Sequence, residues 1–132
     1  MSIFITYIAM LIYFVTAEII VLTNVMQPLF KKHIGFLMNE QTNFSVAAIF
    51  YFIYVAGVYW FATRAGIKSE SSFVCLFSGA FLGLLAFGTY EITNYVILKD
   101  WKISLVFTDT LWGIIITSSM AFVGYKVHGF LE

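Results

Sequence analysis

Charge is scarce in this chain of 132 residues: Asp, Glu, Lys and Arg together make up 11%, seven basic against seven acidic, for a formal net charge of zero. With no basic stripe to hold a phosphate backbone, nucleic acid is not an expected partner. Cys75 is the single cysteine, which excludes an internal disulfide and a cysteine metal cage. It reads as a small apolar packing residue. No GxSxG, HExxH, CxxC or P-loop motif occurs, and no Ser/His/Asp set falls within an apolar segment. Acyl transfer, zinc hydrolysis and nucleotide hydrolysis are therefore unsupported, and no catalytic residue is assigned. The carboxylates show no DDxxD-like spacing that would gather Mg²⁺ through substrate phosphates, so neither a metal nor a cofactor is expected.

Apolar residues take the place of the missing charge, at 61% of the chain with aromatics alone at 20%. A soluble domain of this size has too little polar surface to coat such an interior, so the solvent is expected to be lipid. A spanning helix needs roughly 20 mostly apolar residues. Four such segments can be drawn, over approximately 3–30, 44–63, 72–98 and 103–126. They predict an all-α integral membrane bundle of four transmembrane helices with short loops, a single domain over 1–132. The first segment has no Lys or Arg ahead of it and no small-residue cleavage site, and so reads as a retained span rather than a signal peptide. Pro28 predicts a kink late in that span, and Lys31, Lys32 and His33 predict its exit near Phe30. The stretch 34–43 then mixes Phe36, Leu37 and Met38 with Asn39, Glu40, Gln41 and Asn43, as an interfacial segment would.

Lys31, Lys32, Lys99 and Lys102 lie on one side of the expected bilayer, and Arg64, Lys68 and Lys126 on the other. The balance leaves the sign of the orientation open. Tyr7, Trp60, Phe61, Trp101 and Tyr125 fall near helix ends and are expected as headgroup-level anchors. Gly79 and Gly83 form a GxxxG step suited either to packing within the bundle or to a dimer contact.

All seven basic residues sit in connections or at helix ends, whereas Glu18, Glu91 and Asp109 sit inside spans. A charged side chain at a helix centre costs about 2.5 to 3.5 kcal/mol by insertion scales, so these acids call for protons, water or a bound cation. Counting residues from the hairpin puts Glu91 and Asp109 at one level, roughly 10 Å from that end, with Glu18 joining the layer within about a turn. Tyr51 and Tyr54 reach the same depth on the second helix, with phenols that can donate to a carboxylate. Glu91 shares a stripe with Phe87 and Asn94, Tyr90 with Asn94, and Asp109 a face with Trp112 and Gly113. A Glu91/Asp109 pair is expected to hold one proton between them near neutral pH. The alternative is a set of neutral acids that only hold the bundle together.

AAIFYFIYVAG (47–57), GLLAFGTYEITN (83–94), TDTLWG (108–113) and FKKHIGFLM (30–38) resemble the signature segments of domain-of-unknown-function family 2177, small four-span proteins of the bacterial inner membrane. The resemblance covers almost the whole chain. It implies the four-helix architecture and the same residue set: Glu18, Tyr51, Tyr54, Tyr90, Glu91, Asn94, Asp109 and Trp112. Members of that family often carry Asp where this chain has Glu18 and Glu91, and a Trp where it has Val21. The longer acids reach one bond further.

Three functions fit an acid-bearing bundle of this kind. One is proton- or cation-coupled binding or transport of a small molecule or ion, with two copies enclosing a pathway as small multidrug exporters do by analogy. A second is an accessory or scaffold role beside a membrane-protein partner. The third is an enzyme acting on a lipid or isoprenoid, with Glu91 and Asp109 as acid and base; the absence of a catalytic motif leans against it.

Overall fold

The computed structural model describes residues 2–38 and 44–132, and nearly all of them are helical, with no strand among the described residues. Four rods are long and apolar enough to cross a membrane: α1 (Ser2–Leu37), α2 (Phe44–Ser69), α3 (Ser72–Ile97) and α4 (Ile103–Leu131). At about 1.5 Å per residue even the 26-residue rods span about 39 Å, more than the roughly 30 Å of hydrocarbon. An integral membrane protein follows from these lengths and compositions.

Each rod ends, bends or continues for a local reason. Pro28 has no N–H, and its ring crowds the carbonyl one turn earlier. α1 accommodates it by widening into a π turn over Leu22–Met26, closed by the Gln27 N–H on the Leu22 carbonyl, before α-helix resumes at Gln27–Ile34. Asn24 Nδ2 donates to the Ile20 carbonyl at 2.8 Å beside this irregular turn. The rod thus runs on past Phe30 to a 3₁₀ turn at Gly35–Leu37, beyond the exit expected from the lysines. Asn39, Glu40, Gln41 and Asn43 of the expected interfacial stretch lie outside the described residues.

α2 also passes its expected end at Thr63, through a second π turn at Tyr59–Thr63 and a last helical segment at Arg64–Ser69. Glu70 closes it in the left-handed conformation (φ 52°), its N–H on the Gly66 and Ile67 carbonyls. Ser71 then caps α3 by accepting from the Val74 N–H at 3.2 Å. Cys75 is buried just inside that turn, where a Cβ on Gly66 would meet it.

The rods alternate in direction, with α4 the most buried and packed against each of the others. Glycine sets the closest of these contacts. A Cβ at Gly79 would lie 2.8 Å from the Ser118 Cα, and one at Gly83 would strike the Gly113 carbonyl, so α3 and α4 touch backbone to backbone. The GxxxG step therefore faces α4 of the same chain. Gly113 in turn admits the Phe87 ring. Met10, Phe14, Val55, Val58, Ala62, Ile116, Met120 and Ala121 fill the core between the rods.

The close backbone approach of α2 to α3 is made mainly by the 59–69 part of α2. Its earlier part, Phe44–Val58, packs instead on α1 and touches α4. Toward the end that carries Lys31 and Lys99 the two rods therefore diverge, which opens the side of the bundle.

Candidate functional site

The divergence of α2 from α3 leaves a cavity of about 490 Å³ lined by Phe14, Glu18, Phe50, Tyr51, Tyr54, Ala86, Phe87, Tyr90 and Asp109. Phe50 and Tyr90 flank its mouth, 59% and 53% exposed, on the surface that lipid would cover. On the inner side the Tyr54 hydroxyl and Thr117 Oγ1 share a hydrogen bond of 2.6 Å that ties α2 to α4. Phe14 closes the rest, edge-on to Tyr51 with ring centroids 5.0 Å apart.

Among the described residues that line the cleft there are two carboxylates and no basic side chain. Glu18 comes from the last full turn of α-helix before the π turn of α1, and its Oε1 accepts from Trp112 Nε1 at 2.6 Å. Tyr51 lies beside the same carboxylate from α2. Asp109 enters from α4, one turn before Trp112, and is as enclosed as Glu18, each 8% exposed.

Glu91 occupies a different compartment. It is fully buried, lines no part of the cleft, and its Oε1 accepts from Trp101 Nε1 at 2.8 Å. Its Oε2 is buried with no hydrogen-bond partner among the described residues. The register of α3 on α4, with Gly83 against Gly113 and Gly88 near Thr110, turns the Glu91 carboxyl toward Asp109, which lies beside it. Asp109 therefore stands between the two glutamates, with Glu18 on the cleft side and Glu91 behind.

Trp101 corrects a sequence expectation. Rather than anchoring at headgroup level it is folded inward, 6% exposed, against Phe30 at 5.8 Å and edge-on to Tyr90 at 6.0 Å. The connection at 98–102 turns back under the end of α3, and Leu105, Val106, Leu29 and Ile34 complete the pocket for the indole. Burial of an indole is favourable only where its N–H finds an acceptor, and Glu91 supplies one. Tyr7 is likewise more than an anchor: its hydroxyl donates to the Phe52 carbonyl at 2.8 Å and joins α1 to α2. Trp60 stays outward, 58% exposed, with the Arg64 guanidinium 3.8 Å over its ring.

Among the residues singled out by sequence, the cleft thus gathers Glu18, Tyr51, Tyr54, Tyr90 and Asp109. Trp112 holds Glu18 from behind. Asn94 sits outside the lining, one turn beyond Tyr90 and close enough to interact with its hydroxyl. Gly79 and Gly83 lie away from the cleft in the α3/α4 contact. Sequence reasoning passed over Phe14, Phe50 and Ala86. The signal for the first two was available, since Phe14 lies four residues before Glu18 and Phe50 four before Tyr54, on the same helix faces. Among the described residues no group of three His, Cys, Asp or Glu is arranged to hold a metal ion.

A helical membrane protein with four candidate spans is the class that the fold defines. Residues 3–126 match the model of a family described as predicted membrane protein (DUF2177), and the chain belongs to that family. No curated protein and no solved structure matches it.

Proposed function

We propose that this protein binds a small molecule or ion in the cleft in exchange for a proton, as part of proton- or cation-coupled transport in the bacterial inner membrane. The observation that carries the reading is Glu18 and Asp109 in one cleft open toward lipid, with no basic side chain lining it. A carboxylate at membrane depth needs a proton, water or a cation. In an open cleft these can replace one another.

Glu18 from α1, Tyr51 from α2, and Tyr90 and Glu91 from α3 face Asp109, each of them an acid or a phenol. Among the described residues no Lys, Arg or His lines the cleft, so a proton that an arriving cation displaces from its two carboxyls is released to solvent unless Glu91 takes it up. A proton between Glu91 and Asp109 would also give the orphaned Glu91 Oε2 its partner. Glu91 then acts as a sealed reserve behind the exchanging site. One copy closes the cleft inward through Tyr54 and Thr117, so flux across the membrane calls for a second copy or a moving α2.

The sign of the pH dependence follows from mass action. A cation that displaces one proton binds more weakly as pH falls, by about tenfold per pH unit while the site remains protonated when empty. The test is proton release into weakly buffered solution when purified protein meets sodium, ethylammonium or tetraphenylphosphonium. Wild type is expected to release protons with at least one of them. The double variant Glu18→Gln, Asp109→Asn should release none, and it keeps an acceptor for Trp112. Equal release from both proteins, or none from either, would overturn the reading.

A further inference from the structure

We infer that the occupant of the cleft is a lipophilic organic cation that enters sideways from the bilayer between α2 and α3. The inference rests on the proton-exchange reading and adds the class of ligand and its route.

Rings rather than oxygens dominate the lining. Phe14, Phe50, Tyr51, Tyr54, Phe87 and Tyr90 surround the two carboxylates, with Phe50 stacked on Tyr54 at 6.4 Å and Phe87 edge-on to Tyr54 at 6.3 Å. A small hard cation gives up its hydration only to several oxygen ligands, commonly six or more. Two acids and three phenols among apolar rings replace that shell poorly. An alkyl- or arylammonium ion, or a phosphonium, has little hydration to lose. It gains from ring faces as well as from the carboxylates, because the quadrupole of each face attracts the charge. The volume of about 490 Å³ falls within the range of sites for drug-sized ligands.

The route follows from where the rods part. The backbones of α2 and α3 come close mainly through the 59–69 segment, with Tyr54 touching Phe87 across the cleft, so the gap beside Phe50, Ala86 and Tyr90 faces the acyl chains of the leaflet nearer Lys31 and Lys99. A lipophilic cation concentrates in that layer and reaches Asp109 without crossing water. A lipophilic anion shares the route but meets carboxylates at its end.

Binding is measured in nanodiscs with tetraphenylphosphonium and with tetraphenylborate, which has the same shape and the opposite charge. Proton release is followed in the same samples and with sodium and ethylammonium. Saturable binding of the phosphonium with proton release, weakened about tenfold per pH unit on acidification and lost in Asp109→Asn, is the expected result. Tyr90→Leu, which removes a ring face from the lining, should bind several-fold more weakly. Thermal unfolding of each variant confirms that it folds.

Equal binding of the borate would show an apolar slot without charge selection and would overturn the inference. So would a phospholipid or a second copy of the chain held in the cleft that the phosphonium does not displace. Proton release by sodium or ethylammonium but not by the phosphonium would overturn the inference and leave proton exchange standing. Silence from all three cations would remove both.

Discussion

Toward the turn that joins α2 to α3, the rods are in close backbone contact, and Thr63 Oγ1 ties α2 to α4 by donating to the Ala121 carbonyl at 3.0 Å. Near Lys31 and Lys99, α2 swings away from α3, and two carboxyls are held instead by indoles from elsewhere in the chain. The contrast shows how so small a bundle keeps a cleft open. Glycine fixes α4 against α3 at one end, and the Tyr54–Thr117 and Thr63–Ala121 bonds hold α2 to α4. Beyond Tyr54 the rings of Phe14, Phe50 and Tyr51 line the space between α2 and α3. A rigid end thus supports an open one.

The sharpest way to break that contrast is to wedge the rigid end. Gly83→Val would drive its side chain into the Gly113 carbonyl, a backbone atom that cannot turn aside. Overpacking of this kind costs about 3 kcal/mol, and the loss of close helix approach adds to it. Reversible unfolding in mixed micelles is expected to show that loss of stability, together with loss of ligand binding in the cleft, whose Ala86 and Phe87 follow Gly83 by about one turn. A valine that leaves both unchanged would mean that the α3/α4 contact does not hold the open end in place.

The indole bonds at the open end come next in size. Trp101→Phe keeps a ring against Phe30 and Tyr90 but leaves Glu91 Oε1 without its donor, at a cost of about 2 kcal/mol. In a Glu91→Leu background the same change should cost much less, because the stranded acceptor is gone. If the two changes simply add, the indole contributes only by packing.

Much of the fold was legible because its solvent is lipid. Four apolar runs of spanning length leave few alternatives, and the GxxxG step announced a close helix contact. The partners of the acids were harder to read. Trp101 lies next to charged Asp100 and Lys102 at a helix end, the usual setting of an interfacial anchor, and only the backward fold of the 98–102 connection turns it inward. No periodicity encodes a connection that short. The bond from Trp112 to Glu18 joins residues 94 positions apart, a separation at which helical spacing says nothing. Nor does sequence show that Tyr90 would face the cleft while Glu91 faces away from it. Neighbours on a helix point in directions about 100° apart, so the choice depends on how α3 is rotated against α4. That rotation is set by Gly79 and Gly83.

The smallest expected effect is a control on the same comparison. A Cβ at Gly57 of α2 meets nothing within 4 Å, whereas one at Gly79 meets the Ser118 backbone at 2.8 Å, although both glycines lie in the middle of helices. Gly57→Ala is therefore expected to shift unfolding by less than about 0.5 kcal/mol, and upward. An alanine gains helix propensity over glycine, but the gain is muted in a membrane, where the unfolded reference state keeps its helices. Gly79→Ala should lower stability by about 1 to 2 kcal/mol, since a backbone neighbour must shift by several tenths of an ångström. Measured side by side in the same micelles, the two substitutions separate helix propensity from helix approach. Equal losses would mean that α2 packs on something at Gly57 after all, such as a second copy of the chain, and the side of the bundle drawn as open would be covered.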